Sequence, residues 1–507
     1  MTKFRLICTM VAFVCLLHVS LMGGDPGPVT PNPSPEAKAL LELMYSLSGQ
    51  YTITGQHNYP NTRDRNSQFA AQYSGEHPAV WSTDMGFAEA GDTDSYLARP
   101  DIVDEAIRQH QQGSIITICW HAVPPTADEP VVFRQGPGAS KDSLASVQGQ
   151  LLDKQFQDVL TPGTALYKKW CAQVDSVAFY LKKLQEAKVP VLWRPYHEMN
   201  GNWFWWGGRH GKYSTRALYR QMFDRLVKHH KINNLVWMWS VDRPNNPPMY
   251  FSHYYPGNDY LDIVSLDVYG SDFNQTYYDS LTVLAKGKPM VLGEVGNPPS
   301  LEIFENQPNW AMWVIWAGMA RNTSKAQYEI FYDSTRMLTR DDSAYAVLTA
   351  PYRKACNLPG LKPVNKARAF SGEWVLNEDQ CATDNFGLSN AAYKMSLALA
   401  DSNFQITRSF IVEWGDDRIT EENLKLDGTP FETTFWNLPR ILTASWAGDT
   451  VVVESFMSFN WGGQTREIKG KESWSLSDKG RILTIREDSQ SFRGPRKVTL
   501  VYEKKSY

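Results

Sequence analysis

Between residues 51 and 316 short apolar runs recur, separated by longer amphipathic stretches. The runs are Tyr51–Gly55, Ala79–Asp84, Ser114–Trp120, Pro190–Pro195, Leu235–Ser240, Ile263–Tyr269, Pro289–Glu294 and Met312–Trp316. A continuous apolar run, rather than an alternating one, is what a strand buried on both faces requires. Between the runs, stretches such as Asp101–Gln111, Trp170–Gln185 and Thr215–His229 read as amphipathic helices. Strands alternating with helices predict an α/β fold with a parallel sheet. Eight such units predict a closed (β/α)8 barrel, a TIM barrel. The competing open doubly wound sheet calls for a glycine-rich phosphate turn after its first strand, and none stands there.

The texture changes after the barrel. Arg340 to Lys366 reads as irregular and carries Pro351, Pro359 and Pro363. Short alternating runs follow at Phe404–Trp414, Thr450–Phe459, Glu472–Leu476, Ile482–Glu487 and Lys497–Lys504, divided by turns rich in Gly, Asp and Asn. That pattern predicts an all-β antiparallel meander, closed as a sandwich or small barrel. At the other end, Lys3 and Arg5 precede an apolar run from Leu6 to Met22, then Gly23 and Gly24, the layout of a secretory signal peptide. Prolines at Pro26, Pro28, Pro31, Pro33 and Pro35 predict a stiff extended tether, with a helix near Glu36 to Leu47. The expected organisation is a signal peptide at 1–24, a Pro-rich linker at 25–38, the barrel at 39–338, a linker at 339–366 and the β domain at 367–507.

Bulk properties narrow the function. A net charge of -3 leaves no nucleic-acid footprint. With the signal removed, no stable membrane span is expected, and the chain is expected to be a secreted monomer, periplasmic or extracellular. Cys119, Cys171, Cys356 and Cys381 remain after cleavage. An exported protein can oxidise them; Cys356 and Cys381 are near enough in sequence to bridge the domain junction, and Cys119 sits in an apolar run. No CxxC or His/Cys cluster suggests a metal, and no cofactor is called for.

The candidate chemistry lies at 193–207, WRPYHEMNGNWFWWG. The fourth run opens there into polar and aromatic side chains, at the strand end where barrel enzymes place catalytic groups. Glu198 can serve as a proton donor, and Trp203, Phe204, Trp205 and Trp206 offer flat faces for pyranose rings. Glycosidic cleavage needs a second carboxyl group on the far side of the bond. Glu294 closes the seventh run between Gly293 and Gly296, glycines that let ligand and backbone approach closely.

This stretch resembles the signature of glycoside hydrolase family 26, mostly β-mannanases on (β/α)8 barrels, and the resemblance covers roughly residues 40 to 335. It implies that Glu198 is the acid/base and Glu294 the nucleophile of a retaining mechanism. It also implies that His197 and Trp203 line the cleavage subsite, that Tyr269 touches the nucleophile, and that His121 and Trp316 bound the site. Arg194 matches an arginine just ahead of the acid/base; pairing with Asp267 is its alternative role. The implied activity is an endo-β-1,4-mannanase on mannan, galactomannan or glucomannan. Related activities stay open, namely cleavage of β-1,3-1,4-glucan or β-1,3-xylan, exo release of mannobiose, and glycan binding without catalysis. At the C-terminus, Ala369–Asn377 resembles the opening Gly-x-Trp strand of lipocalin-like barrels, with glycan binding through Trp414, Trp436 or Trp461 as one role and a structural cap as another.

Overall fold

The computed structural model describes residues 27–505, apart from 90–92, 137–142, 362–369, 384–386, 389–390, 401–402, 414, 436, 448–449, 462–463, 478–479 and 492–493. The expected signal peptide, Trp414 and Trp436 therefore lie outside the described residues. The chain divides into two compact units, residues 1–331 with 335–361, and residues 332–334 with 362–507.

Eight parallel strands build the first unit: β1 Thr52–His57, β2 Val80–Asp84, β3 Ile115–Trp120, β4 Val191–Pro195, β5 Leu235–Asp242, β6 Ile263–Val268, β7 Met290–Val295 and β8 Trp310–Ile315. Each pairs with the next, and β8 pairs with β1 (Ile53 opposite Met312), so the sheet closes. Every residue of these strands is buried, which is why the sequence shows runs rather than alternation. The bottom of the barrel is sealed by the helix Pro35–Leu47. Ser34 caps it by accepting from Ala37 N at 3.2 Å, and Pro35 supplies a first residue already at helical φ. Its Leu40, Leu41 and Met44 join Ile115, Leu192, Val236 and Val291 in one core.

Most of the two expected linkers, residues 27–38 and 339–361, is part of this unit. Pro28 and Thr30 are buried; Val29 N donates to Asp262 at 2.7 Å and Ser34 N to Asn233 O at 2.9 Å. From residue 27 on, this segment is a strap along the barrel, not a tether. Ser343–Ala355, inside the stretch read as irregular, is a helix around Pro351. Its Tyr345 and Tyr352 are buried in the barrel's core cluster, and Tyr345 Oη donates to Gly113 O at 2.8 Å. No disulfide forms among the described residues: all four cysteines carry free thiols.

The second unit is a nearly closed antiparallel barrel of ten strands: β9 Gly372–Leu376, β10 Lys394–Ala400, β11 Asn403–Phe410, β12 Arg418–Lys425, β13 Phe431–Phe435, β14 Leu438–Ala447, β15 Thr450–Trp461, β16 Gln464–Ser477, β17 Ile482–Ser491 and β18 Gly494–Lys504. The sheet order is β12-β11-β10-β9-β18-β17-β16-β15-β14-β13. The Gly-x-Trp strand β9 joins the last strand, with Trp374 opposite Lys504. Trp374 is fully buried, donates to Phe370 O at 2.8 Å, and has the Lys504 ammonium 5.2 Å from its ring centre.

Candidate active site

The barrel mouth is built at the C-terminal ends of β1–β8. After Pro195 the chain turns sharply, with Tyr196 at φ 52° and Glu198 at φ 49°. Left-handed backbone at non-glycine residues costs about 1–3 kcal/mol each and persists where the surroundings impose it. The turn is pinned just beyond, at Asn200: its amide donates to Asp242 O (2.6 Å) and Met249 O (3.0 Å), and its oxygen accepts from Asp242 N (2.7 Å). Gly201 in the same motif has a packing reason, since a Cβ there would stand 2.2 Å from the Trp203 ring.

The turn brings Glu198 to face Glu294. Glu294 follows a register shift between β6 and β7 at Gly293, where an extra residue re-aims the side chain. A Cβ on Gly293 would meet Ser265 Oγ at 2.3 Å and Asp267 Oδ1 at 2.8 Å. This glycine thus makes room for neighbouring protein side chains, not for the ligand. Glu294 accepts from Arg194 at 2.5 Å and from Tyr269 Oη at 2.7 Å. The other guanidinium nitrogen of Arg194 donates to Asp267 at 2.8 Å, so Arg194 fills both roles the sequence left open. Glu198 accepts from Trp203 Nε1 at 2.6 Å. One oxygen each from Glu198, Asp267 and Glu294 lie within 4.8 Å of one another.

Three carboxylates around one guanidinium leave excess negative charge in a dry site. Burial raises Glu198 well above the ordinary glutamate range, and the charges of Glu294, Asp267 and Asp242 push it further; the Trp203 bond opposes them and loses. Burial and the nearby Glu294 and Glu198 likewise hold the Tyr269 phenol far above its usual value, so it stays a donor to Glu294. Burial works against the Arg194 charge, but Asp267 and Glu294 outweigh it and keep the guanidinium protonated.

Imidazoles form the opposite wall. Asp84, ending β2, accepts from His121 at both its backbone N (3.0 Å) and Nδ1 (2.8 Å). His121 Nε2 lies 3.1 Å from His197 Nε2. Burial, then His121 and Arg194, lowers His197 far below its usual range, so its ring is neutral. His197 Nε2 also lies 3.8 Å from Glu294. Trp316, half-buried, stacks on His57 at 3.8 Å and 14°. His57 Nδ1 meets Ser82 Oγ at 3.0 Å.

All eight residues singled out in the sequence converge here. His57, Asp84 and Asn200 escaped the sequence reading, though Asp84 is a polar residue ending an apolar run, the same signal that exposed Glu294. The four-aromatic patch needs a correction. Trp205 and Trp206 are fully buried and Phe204 is 4% exposed, leaving Trp203 as the ring of the four with a free face. Trp206 Nε1 donates to His197 O at 2.9 Å and Trp205 Nε1 to Ala122 O at 2.7 Å. These rings anchor the histidine wall from behind.

Among the described residues, three groups of side chains have metal-like spacing: Glu198, Asp267 and Glu294; Asp84, Cys119 and His121; and Asp175, His229 and His230 on the barrel flank. Each has a carboxylate already engaged, by Arg194 in the first, His121 in the second and Arg225 (2.8 and 2.6 Å) in the third.

The barrel is similar to known proteins. A mannan endo-1,4-beta-mannosidase of Thermothelomyces thermophilus is 31% identical over 330 residues, 61% of this chain and 62% of that protein. Mannan endo-1,4-beta-mannosidase B of Piromyces sp is 30% identical over 297 residues, covering 56% of this chain and 47% of the relative. The chain thus spans less than two thirds of the length of either relative. Endoglucanase H of Acetivibrio thermocellus is 30% identical over 154 residues, 26% of this chain and 17% of that protein. Among solved structures, GH26A from Muricauda sp. MAR_2010_75 is 41% identical, with a TM-score of 0.56, covering 62% of this chain and 98% of that one. A GH26-CBM35 beta-(1,4)-mannanase of Podospora anserina is 28% identical, with a TM-score of 0.53, over 64% of this chain and 70% of that one. Residues 29–342, more than half the chain and all eight barrel strands, match the model of glycosyl hydrolase family 26. With two opposed glutamates at the ends of β4 and β7 of a closed barrel, the chain belongs to that family.

Proposed function

We propose that this protein is an exported endo-β-1,4-mannanase that cleaves with retention of configuration. The observation that carries the reading is the asymmetry of the glutamate pair. Glu294 is tied by a guanidinium and a phenol, so its carboxylate is aimed and charge-compensated. Glu198 is pushed towards its neutral acid form. The first suits a nucleophile and the second an acid. Glu294 attacks the anomeric carbon while Glu198 gives its proton to the departing glycosidic oxygen, leaving a glycosyl ester on Glu294. Glu198, now charged, takes a proton from water, which attacks the same carbon and releases Glu294. Both carboxyl groups belong to one close cluster, as the roughly 5–5.5 Å carboxyl pair of a retaining enzyme requires.

Mannan as substrate is supported by the names of the relatives above. The endoglucanase among them keeps glucan cleavage as a second reading. Export is supported by Lys3, Arg5 and the apolar run to Met22. Product analysis on galactomannan, mixed-linked glucan and xylan tests the reading, with Glu294→Ala as control. Manno-oligosaccharides of several lengths from the wild type, and none from the variant, are expected. Mannobiose alone would make the enzyme exo-acting. Cleavage of glucan or xylan alone would overturn the substrate and keep the chemistry.

A further inference from the structure

Away from the barrel mouth, a cleft of about 630 Å³ runs along the flank between two helices, Ala165–Glu186 before β4 and Thr215–Phe223 after it. Small-molecule sites occupy roughly 300–1,000 Å³. The cleft shares no lining residue with the active site, and its lining is cationic: Lys212, Arg216, Arg220 and Arg225 stand on it, against one acid, Asp224. Arg225 is satisfied within the fold, donating to Asp175 at 2.8 and 2.6 Å. Asp224 is neutralised by Lys228, one helical turn on, at 2.7 Å. Lys212, Arg216 and Arg220 have no such partner; among the described residues none of the three makes an ion pair.

The helix gains nothing from these charges. Arg216 lies in the first turn of Thr215–Phe223, which carries no acidic residue. A helix N-terminus is positive, so a cation there is at the wrong end. Arg220 follows four residues later on the same face, where like charges repel. Its guanidinium is already held in place: Nε donates to Pro256 O at 2.5 Å, and the group sits 5.1 Å from the Tyr260 ring centre. Its two terminal nitrogens donate to no group among the described residues. An anion in the cleft relieves the repulsion, and guanidinium forks match a planar carboxylate. Half-buried Tyr167 and Tyr260 stand beside the cations and add flat ring faces. A carboxylate and a flat C–H face occur together in a uronic acid unit.

We infer that this cleft is a second glycan site, one that takes an oligosaccharide carrying uronic acid units and docks the enzyme on acidic polysaccharide while the mouth cleaves a neutral one. The choice of a sugar acid over another anion rests on the glycanase reading above; the charge of the cleft does not. Calorimetric titration of the full chain with trigalacturonate, with its fully methyl-esterified form and with inorganic sulfate, at low and at physiological salt, tests it. Saturable binding of trigalacturonate, weakened by salt and absent for the ester, is expected. Arg216→Gln and Arg220→Gln should each weaken it about tenfold, the worth of one hydrogen bond between charged groups, and leave kcat/KM on manno-oligosaccharides within twofold of wild type. No binding of trigalacturonate overturns the inference, as does equal binding of the ester or of sulfate. Binding unchanged in both variants puts the ligand elsewhere and overturns it too. A variant that has lost its fold also loses cleavage, so the rates separate misfolding from a lost contact. If the wild type cleaves no manno-oligosaccharide, the mannanase reading fails alone: melting temperatures then check folding, and the titrations still decide the cleft.

Discussion

Both units bury an arginine between two carboxylates, and only one of them does so at a site built for chemistry. In the first barrel Arg194 bridges Asp267 and Glu294. In the second, Arg408 lies 3.0 Å from Glu472 and 3.5 Å from Glu422. The second group is closed. Trp474 Nε1 donates to Glu472 at 2.9 Å, the Arg408 guanidinium sits 5.1 Å from the Trp474 ring centre, and Phe404 packs on that ring from 5.5 Å. Burial would raise Glu472, yet Arg408 and Arg440 hold it below the ordinary range. The first group is open. A third carboxylate, Glu198, stands within 4.8 Å of the other two and is driven the opposite way. A buried ion pair is therefore not in itself a sign of function. An uncompensated charge beside it, reached through a strained turn, is.

Cutting each arginine should break the comparison most sharply. Removing one partner of a buried pair costs about 3–5 kcal/mol, because the other charge is left unpaired. Arg408→Met is expected to lower the melting temperature of the second unit and leave kcat/KM on soluble manno-oligosaccharides within twofold of wild type. Arg194→Met is expected to lose stability and also roughly 10³-fold or more in kcat, since Glu294, the proposed nucleophile, loses its aiming contact. Calorimetry and initial rates on both variants decide it. A large activity loss in Arg408→Met would show that the second group serves the reaction.

His57 sharpens the comparison at smaller scale, because it is buried like Arg408 yet belongs to the open site. It holds Trp316 flat from behind, and burial keeps its ring neutral. His57→Ala is expected to lose about tenfold in kcat/KM, the worth of one poorly held ring face. His57→Phe, which keeps the stack without the hydrogen bond to Ser82, should recover most of it. Equal losses in both would mean that the bond, not the stack, positions Trp316.

The pH profile tests the excess charge directly. Glu198 must be protonated to act as acid, so the alkaline limb of kcat/KM follows its raised pKa. Asp242→Asn removes one of the charges raising it, and the limb should move down. Trp203→Phe removes the hydrogen bond that favours its anion, and the limb should move up. Two shifts of the same sign would place the controlling group elsewhere.

The barrel was legible because its strands are buried on both faces, which turns each into a run bounded by polar residues. All eight runs are strands, and the residues at their ends make the site. In the β barrel only alternate residues face inward, so β12, β13 and β14 carry too weak an alternation to stand out. Strands such as Arg418–Lys425 and Phe431–Phe435 are mostly polar or exposed. The helix Ser343–Ala355 was hidden by Pro351, whose usual effect is to end a helix. Trp205 and Trp206 misled in the opposite sense. An aromatic residue beside a catalytic one looks the same in sequence whether it touches the sugar or braces the wall.

The smallest effect expected is also the most specific to the open site. A carboxyl group whose folded pKa is raised contributes stability that is present below the ordinary glutamate value and lost as pH rises through the raised one. Glu198 thus costs the folded state at neutral pH what it provides to catalysis. Glu198→Gln keeps the shape, still accepts from Trp203, and removes the charge. It should abolish most activity and raise stability by about 1 kcal/mol. The gain should be near zero around pH 4 and grow as pH rises towards 8. Melting curves of wild type and variant across that range measure it. A gain that does not change with pH would mean that Glu198 is not strained by its neighbours' charge, and the contrast with the closed group around Arg408 would lose its basis.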